Sequence, residues 1–431
     1  MKSQIFDIFK FKEGKEVTIQ GWVHRHRVSG NMVFAIIRDP TGIVQCTIKK
    51  DKLDEKGWKN ATDVYIESSV TISGTVKKDE RAPGGFELQV TKFETVFRGE
   101  PFPISKDLSE EFLLDVRHLW TRSQKISNIM KARHHIVNYL REFFSKEEFW
   151  EIAPPIITKA GCEGGSTLFE MNYFGDKAYL TQSSQMYAEV FVFSLGKVFV
   201  LAPSFRAEKS RTVRHLAEYW HLEPEMAWYD QKMNMELQEQ MVEYAVQKMV
   251  KNHSELLTAC GRDPETLAKI KVPFPRLDYA KAIDKVNELS GSEKMKYGDD
   301  FGADEEAILT KQYDVPLFVH NFPKDIKAFY MREDPKKPGT VLNNDLLAPA
   351  GHGEIIGGSE RIWELDELLG RMKEQNLAEK DYQWYVDLRR YGAVPHSGYG
   401  LGIERLVKWI LNLDHIRDTI PFPRTITRCY P

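Results

Sequence analysis

The stretch APSFRAEKSRTVRHLAEYWHLEPEMAWYD, residues 202–230, is the densest polar segment of the chain. Its two ends are apolar and strand-like, whereas its middle carries Arg206, Glu208, Lys209, Arg211, Arg214 and His215. A hairpin that leaves a hydrophobic sheet with an excess of cationic donors at its tip is suited to holding a polyanion. A solvated charged turn is the ordinary alternative. The alternation of Arg206 and Glu208 with Phe205 in a strand setting counts against it.

Working outward, strand-like runs recur at AYLT (178–181), KVFVLAPSFRAE (197–208), HLEPEMAWYD (221–230), PLFVHNFP (316–323), AFYMRED (328–334) and EIIGG (354–358). A 3.6-residue period predicts a helix from Leu119 to about Ser145, and Pro154-Pro155 ends any helix before the extended PPIIT. The segment from about 230 to 312 is helix-rich, and a further helix spans Gly402 to about Asn412. There is no regular strand–helix alternation and no G-x-G-x-x-G, which argues against Rossmann and TIM-barrel plans. The order predicts an α+β domain on a mostly antiparallel sheet flanked by helices.

The first hundred residues differ. Short alternating segments at 17–28, 31–39, 42–50, 64–78 and 86–97 are punctuated by Ser29-Gly30-Asn31, Asp39-Pro40-Thr41-Gly42 and Ala82-Pro83-Gly84-Gly85. Five such strands predict a small closed β-barrel of OB type. The expected organisation is a barrel over 1–100, a linker over 101–118 built around GEPFPISKDLSEE (99–111), and a larger domain over 119–431. The 431 residues, 42 % hydrophobic and 29 % charged, exclude a disordered chain, and no apolar run reaches the ~18 residues of a membrane helix. The N-terminal MKSQIFDIFKFKEGKEV lacks an apolar h-region, so a cytoplasmic protein is expected. Four scattered cysteines without a C-x-x-C pair argue against disulfides or a zinc ribbon. The net charge of −3 argues at first against a nucleic-acid partner. That charge is segregated, however: residues 1–100 carry 17 Lys/Arg against 14 Asp/Glu, and the remainder 43 against 49.

Two further segments carry candidate chemistry. In GYGLGIERLVKWI (398–410), glycines at 398, 400 and 402 precede a helix whose first turn holds Glu404 and Arg405; glycines permit close backbone approach, and the guanidinium could clamp a phosphate or stack on a purine. In GHGEIIGGSERIWE (351–364), Glu354 leads into Gly357-Gly358-Ser359 and Arg361. Mg²⁺ favours one or two carboxylates plus substrate phosphates, so a lone Glu354 suffices. His134-His135, His24 and His26 lack partners at metal spacing, the Met/Gln/Glu stretch at 233–250 fits a packing helix, and nothing activates Cys162.

Together these segments resemble the class II aminoacyl-tRNA synthetases of the aspartyl/asparaginyl/lysyl subgroup. EEFWEIAPPII (147–157) is similar to motif 1, with Pro155 at the family's proline and Glu148 where a glycine is usual. FRAE followed by RHLAEYWHLEPEMAW resembles motif 2, GYGLGIERL resembles motif 3, and GWVHRHRVSGNMVFAIIRDPTGIVQCTI (21–48) resembles the anticodon-binding barrel. The resemblance covers nearly the whole chain in the right order. It implies ATP as substrate and Mg²⁺ as cofactor. It implies that Arg206 contacts the α-phosphate and the substrate carboxylate, that Glu208 meets the adenine amino group, and that Arg214 and His215 face the β- and γ-phosphates. Leu216, Gly402 and Glu404 fall in the implied nucleotide site, Arg405 sandwiches adenine or grips the γ-phosphate, and Glu354 holds Mg²⁺. Aspartyl members often add a serine three residues after that glutamate, where this chain has Gly357. Glu163 and Gln185 would hold the substrate α-amino group, with Gly164-Gly165 in a closing loop. Arg25, Phe34 and Gln45 would read the anticodon, by stacking on Phe34 and amide contact from Gln45. Pro155 carries the expectation of a homodimer.

Three positions bear on the amino acid. Aspartyl members carry QSPQLYKQ, whose lysine helps bind the aspartate side chain; here Gln182–Glu189 read QSSQMYAE, with Ser184 at the proline and Ala188 at the lysine. Glu223 stands where aspartyl members usually carry aspartate, and asparagine-charging members are similar to this chain at all three positions. A carboxamide needs one donor and one acceptor, which Arg361 and Glu223 supply, whereas a carboxylate would meet Glu223 with like charge. L-asparagine and tRNA(Asn) are therefore the expected substrates. An aspartyl enzyme, whether specific or charging both tRNAs, is the alternative, followed by an aspartate-amidating paralogue, whose known relatives lack the barrel, and an RNA-binding scaffold with a dead site.

Overall fold

The computed structural model describes residues 3–104, 108–159, 161, 167–209, 212 and 214–431. The chain forms two compact units, Met1–Leu114 and Asp115–Pro431. In the first, strands β1 (Glu16–Ser29), β2 (Met32–Asp39), β3 (Gly42–Lys49), β4 (Ser69–Lys78) and β5 (Phe86–Phe97) close a barrel in the order β1-β2-β3-β5-β4. Strict alternation drives the closure: Val17, Ile19, Val23, Val33, Ala35, Ile37, Val44, Cys46 and Ile48 all point into one core, and their sequence neighbours point out. A bulge between Val23 and Arg25 shifts the outward set of β1 by one residue and turns Arg25 and Arg27 to the surface. The OB-type barrel is the expected one.

The second unit contains β6 (Trp150–Glu151), β7 (Ile157–Thr158), β8 (Phe169–Tyr173), β9 (Asp176–Leu180), β10 (Lys197–Phe205), β11 (Glu218–Ala227), β12 (Arg276–Asp278), β13 (Leu317–His320), β14 (Asn343–Ala348), β15 (Gly353–Arg361) and β16 (His396–Gly402). Eight of them make one sheet, in the order β12-β13-β14-β15-β16-β11-β10-β6, antiparallel except at the β12/β13 and β10/β6 edges. One face is sealed by the long helices Gln124–Lys146 and Gln231–Ala259, which meet Phe199, Leu201, Leu222, Met226, Leu346, Tyr399 and Leu401. The intervening residues of the same strands face the other way. On β11 these are His221, Glu223 and Glu225, a run of polar groups that a strand can carry only on a face opening onto a cavity or onto partners. Asp230 caps the helix Gln231–Ala259 by accepting from the Met233 N–H at 2.8 Å.

One sequence expectation is corrected: AFYMRED is not a strand but turns, holding only isolated bridges of Met331 to Arg361 and Glu333 to Val341. GYGLG forms most of central strand β16, and the helix that follows it is Ile403–Ile410. The usual glycine of motif 1 also acquires a reason: Glu148 sits at φ +60°, a left-handed conformation that glycine adopts without strain. Among the described residues no helix is long and apolar enough to cross a membrane.

Candidate active site

Arg206 leaves the end of β10 and lines the junction of two openings on the polar face of the sheet. The larger is a cavity of about 700 Å³ bordered by Gln185, His221, Glu223, Lys327, Asp345, Glu354 and Arg361. The smaller is lined by Arg214, His215, Leu216, Gly402 and Arg405. The segments 202–230, 351–364 and 398–410 thus converge on one continuous site.

In the smaller opening the cations are partnered. Arg405 Nη1 lies 2.8 Å from Glu354 Oε2, and Arg214 Nη2 lies 2.7 Å from the buried Glu306 Oε2, which also accepts the Glu354 N–H at 2.6 Å. Arg206 stands 3.9 Å from Glu208 and over the Tyr219 ring, and His215 stands 3.9 Å from the same Glu208. Burial, followed by Arg405, lowers the pKa of His215 and favours its neutral form. Leu216 is buried against Ile416 and Ile420 as part of the floor. Glu404 borders the same opening, and its carboxylate accepts from Arg133 Nη2 at 2.7 Å and from the Trp220 N–H at 2.9 Å, which anchors the helix Ile403–Ile410.

The larger cavity is organised by a buried ion pair across three strands. Arg361 on β15 donates to Glu225 on β11 through Nη2 at 2.5 Å and Nε at 3.2 Å, and to Ser359 Oγ through Nη1 at 2.8 Å. Strand β16 lies between them, and a Cβ added at Gly398 would meet the Glu225 carboxyl at 2.1 Å. At Gly400 the obstacle would be His221 Nε2 at 2.5 Å. The glycines of motif 3 therefore make room for side chains of the neighbouring strand. Burial pushes the Glu225 carboxyl up while Arg361 pulls it down, and Glu225 in turn holds Arg361 as a cation against its own desolvation. Glu223 is equally fixed: Oε2 accepts the Ser184 N–H at 2.8 Å, and Oε1 accepts from Ser183 Oγ with His221 Nδ1 at 3.3 Å. Gln185 borders the cavity, whereas Glu163 and Gly164-Gly165 lie outside the described residues.

Sequence reasoning missed Asp345, on β14 beside β15. Glu354 Oε1 and Asp345 Oδ1 lie 3.2 and 3.6 Å from the position a Cβ would take at Gly357, so the two carboxylates converge there. Against its burial, Arg405 and Lys327 bring Glu354 down to about 2, so it is ionised; burial, with Glu354 adding, pushes Asp345 up to about 7 despite Lys327 at 3.0 Å. Two oxygen-donor carboxylates beside a polyanion site fit a divalent cation that takes most of its ligands from water and phosphate. Among the described residues no group of three or more His, Cys, Asp or Glu has metal-binding geometry. An acid in the unpromising strand sequence NNDLLA gave little sign of itself.

On the barrel, Arg25, Phe34 and Gln45 share one outer face, with Arg25 and Gln45 paired to Ile36 from either side and Phe34 paired to Arg27 and Thr47. Phe34 is 37 % exposed while its neighbours Val33 and Ala35 fill the core, so it is not a core residue. Gln45 Nε2 lies 3.4 Å from Glu87, which is also held by Thr47. Pro155 is exposed in an apolar strip with Pro154, Ile156 and Ile157.

Residues 109–426 match the family of class II tRNA synthetases (D, K and N), and residues 17–96 match the OB-fold nucleic acid binding domain. The chain belongs to the class II tRNA synthetases of the D, K and N group. Within that family it is 50 % identical over 418 residues to the asparagine–tRNA ligase of Thermoplasma acidophilum (97 % of each chain). It is 49 % identical to the enzyme of that name from Thermococcus gammatolerans (99 % and 98 %). Asparaginyl-tRNA synthetase from Pyrococcus horikoshii, solved with asparaginyl-adenylate, superposes with a TM-score of 0.96 at 47 % identity over 100 % of both chains. A putative aspartyl-tRNA synthetase from Leishmania major aligns at 0.86 and 26 % identity over 97 % and 92 %.

The Gly398 geometry yields a prediction. Gly398→Ala displaces the Glu225 carboxylate and with it Arg361, so kcat/KM for the amino acid in ATP–pyrophosphate exchange falls by about 100-fold while KM for ATP stays within about twofold. An unchanged amino-acid KM contradicts the role given to the ion pair.

Proposed function

We propose that the chain is an asparagine–tRNA ligase. It activates L-asparagine with ATP to asparaginyl-adenylate, releasing pyrophosphate, and transfers the asparaginyl group to the 3′ end of tRNA(Asn). The observation that carries the choice of asparagine is the pairing of a fixed acceptor, Glu223, with a fixed donor, Arg361, on one cavity. Glu225 and Ser359 engage Nε, Nη1 and Nη2 of Arg361 once each, and the fork has five N–H groups, so its terminal nitrogens keep donors for a carboxamide oxygen. The Glu223 carboxyl oxygens are held in place by Ser183 and Ser184 and accept from the carboxamide NH₂. Aspartate would set its carboxylate against Glu223, and Ala188, packed against Val198 and Val200 of β10, supplies no compensating cation.

The activation step needs no general base, because the attacking carboxylate is already ionised. Its oxygen forms a bond to the α-phosphorus as the bond to the bridging oxygen of pyrophosphate breaks. Catalysis is then positioning and charge neutralisation. Arg206, at the junction of the two openings, spans the reacting carboxylate and the α-phosphate, and Glu208 meets the adenine amino group. Arg214 and His215 take the outer phosphates, and Arg405 exchanges Glu354 for the nucleotide. Glu354 and Asp345 would hold Mg²⁺, which neutralises phosphate charge when bound. Glu163 and Gln185 hold the substrate ammonium. In the second step a hydroxyl of the tRNA's terminal adenosine attacks the adenylate carbonyl and AMP leaves. Arg25, Phe34 and Gln45 receive the anticodon on the barrel. The apolar strip around Pro155 is the surface of a homodimer, and the enzyme works in the cytoplasm with its tRNA.

Three results test this. Asparagine drives ATP–pyrophosphate exchange at least about 100-fold more efficiently than aspartate or lysine; equal exchange with aspartate contradicts the specificity. Arg206→Ala lowers the exchange rate by about 10²–10³, the usual loss when a transition-state charge partner is removed, and undiminished turnover means that Arg206 is misassigned. Stacking on an aromatic side chain is worth about 1–3 kcal/mol per base, so Phe34→Ala cuts kcat/KM for tRNA charging about tenfold or more and leaves pyrophosphate exchange within about twofold. Loss of both activities makes Phe34 structural.

A further inference from the structure

Behind the amino-acid cavity, helix Gln185–Leu195 carries Glu189, whose carboxylate is fully buried and met by donors from several elements. Arg389 Nη2 lies 2.6 Å from Oε2, Tyr385 OH 2.8 Å from the same oxygen, and His396 Nε2 3.1 Å from it. Gln185 Nε2 donates to Oε1 at 3.0 Å. Arg389 is itself tied down by its Nε–H to the Ile362 carbonyl at 2.8 Å. A cluster of this kind is costly to bury, and nothing in the activation chemistry calls on Glu189 directly.

The chemistry of the one contact that reaches the cavity is informative. Burial alone would push the Glu189 carboxyl up, but Arg389 and His396 hold it well below the usual carboxylate range, so it is ionised. An ionised carboxylate only accepts, so it can bond only the NH₂ end of the Gln185 amide. That fixes an amide whose two ends would otherwise be interchangeable. The end left for the cavity is the oxygen, an acceptor, which is what an α-ammonium group requires.

We infer that Glu189 is a positioning residue: by holding Gln185 Nε2 it turns the Gln185 carboxamide oxygen toward the amino-acid cavity, where that oxygen accepts from the α-ammonium of asparagine. This rests on the proposal that Gln185 holds the substrate amine, and the experiment separates the two. In Glu189→Gln the new NH₂ can donate to the Gln185 oxygen, the Gln185 amide can rotate, and its own NH₂ then faces the ammonium. Pyrophosphate exchange is measured for Gln185→Ala, Glu189→Gln and the double variant.

The expected result is that each single variant raises KM for asparagine about tenfold or more, with KM for ATP within about twofold, and that the double variant is no worse than Gln185→Ala alone. An unchanged asparagine KM in Glu189→Gln, or multiplicative effects in the double variant, overturns the positioning role while leaving Gln185 in place. An unchanged asparagine KM in Gln185→Ala overturns the amine-holding proposal and the inference with it. Because Glu189→Gln leaves Arg389 without its charge partner, neutron diffraction from the unmodified, deuterated enzyme gives a second readout. Deuterons on the Gln185 atom facing Glu189 support the inference, and a Gln185 oxygen there, with a proton on Glu189, overturns it.

Discussion

Burying a guanidinium inside a sheet requires a carboxylate to bury with it, and the Arg361–Glu225 pair sets the terms for everything around it. Both side chains are withdrawn from solvent, 3 % and 0 % exposed, and removing one partner of such a pair costs about 3–5 kcal/mol because the other is left charged and alone. The pair bridges β15 and β11 over β16, so the strand beneath must present no side chain at the position between them. Gly398 meets this demand, and Gly400 meets the same demand from His221. On the opposite face the same strands carry Leu222, Met226, Tyr399 and Leu401 into the helix-packed core. One alternation therefore builds both the core and the site: moving β11 by one residue would put Glu223 and Glu225 into the core, and moving β16 would replace Tyr399 and Leu401 there by glycines.

A second layer of constraint is charge balance. Three cations sit on carboxylates in and beside the smaller opening: Arg405 on Glu354, Arg214 on Glu306 and, across the larger cavity's edge, Lys327 on Asp345. Each is a charge-assisted contact that a phosphate or a divalent cation can replace with one of its own kind. In the amino-acid half, Glu189, Glu223 and Glu225 outnumber Arg361 and Arg389. The site thus has cationic donors where the proposed function places a polyanion and an acidic surplus where it places a neutral side chain and an ammonium.

Much of this was legible in the sequence. Alternation in the first hundred residues predicts the barrel, and Arg206, Glu223, Glu354, Arg361 and Arg405 do meet around the two joined openings. What escaped shares a physical cause. Glu225, Glu189 and Asp345 are acids whose meaning lies in partners far away in sequence, such as Arg361 and Arg389, so local pattern gives them no weight. Gly398 and Gly400 read in the sequence as permitting close backbone approach, and only the neighbouring strand shows that they clear space for Glu225 and His221. NNDLLA is poor in strand formers yet forms β14, where packing between β13 and β15 overrides propensity. AFYMRED has strand formers but ends up turning beneath the cavity. Net charge misled for a related reason: a whole-chain sum cannot register a few aromatic, amide and arginine groups gathered on one barrel face.

The central claim is that a fixed acceptor and a fixed donor, Glu223 and Arg361, select a carboxamide. A crystal structure of the enzyme with L-asparagine bound tests it most directly. The account predicts the side-chain oxygen within hydrogen-bond distance of an Arg361 terminal nitrogen and the side-chain nitrogen donating toward Glu223, with Glu225 still paired to Arg361 behind them. A carboxamide bound away from both residues, or an Arg361 that leaves Glu225 to reach it, would contradict the account.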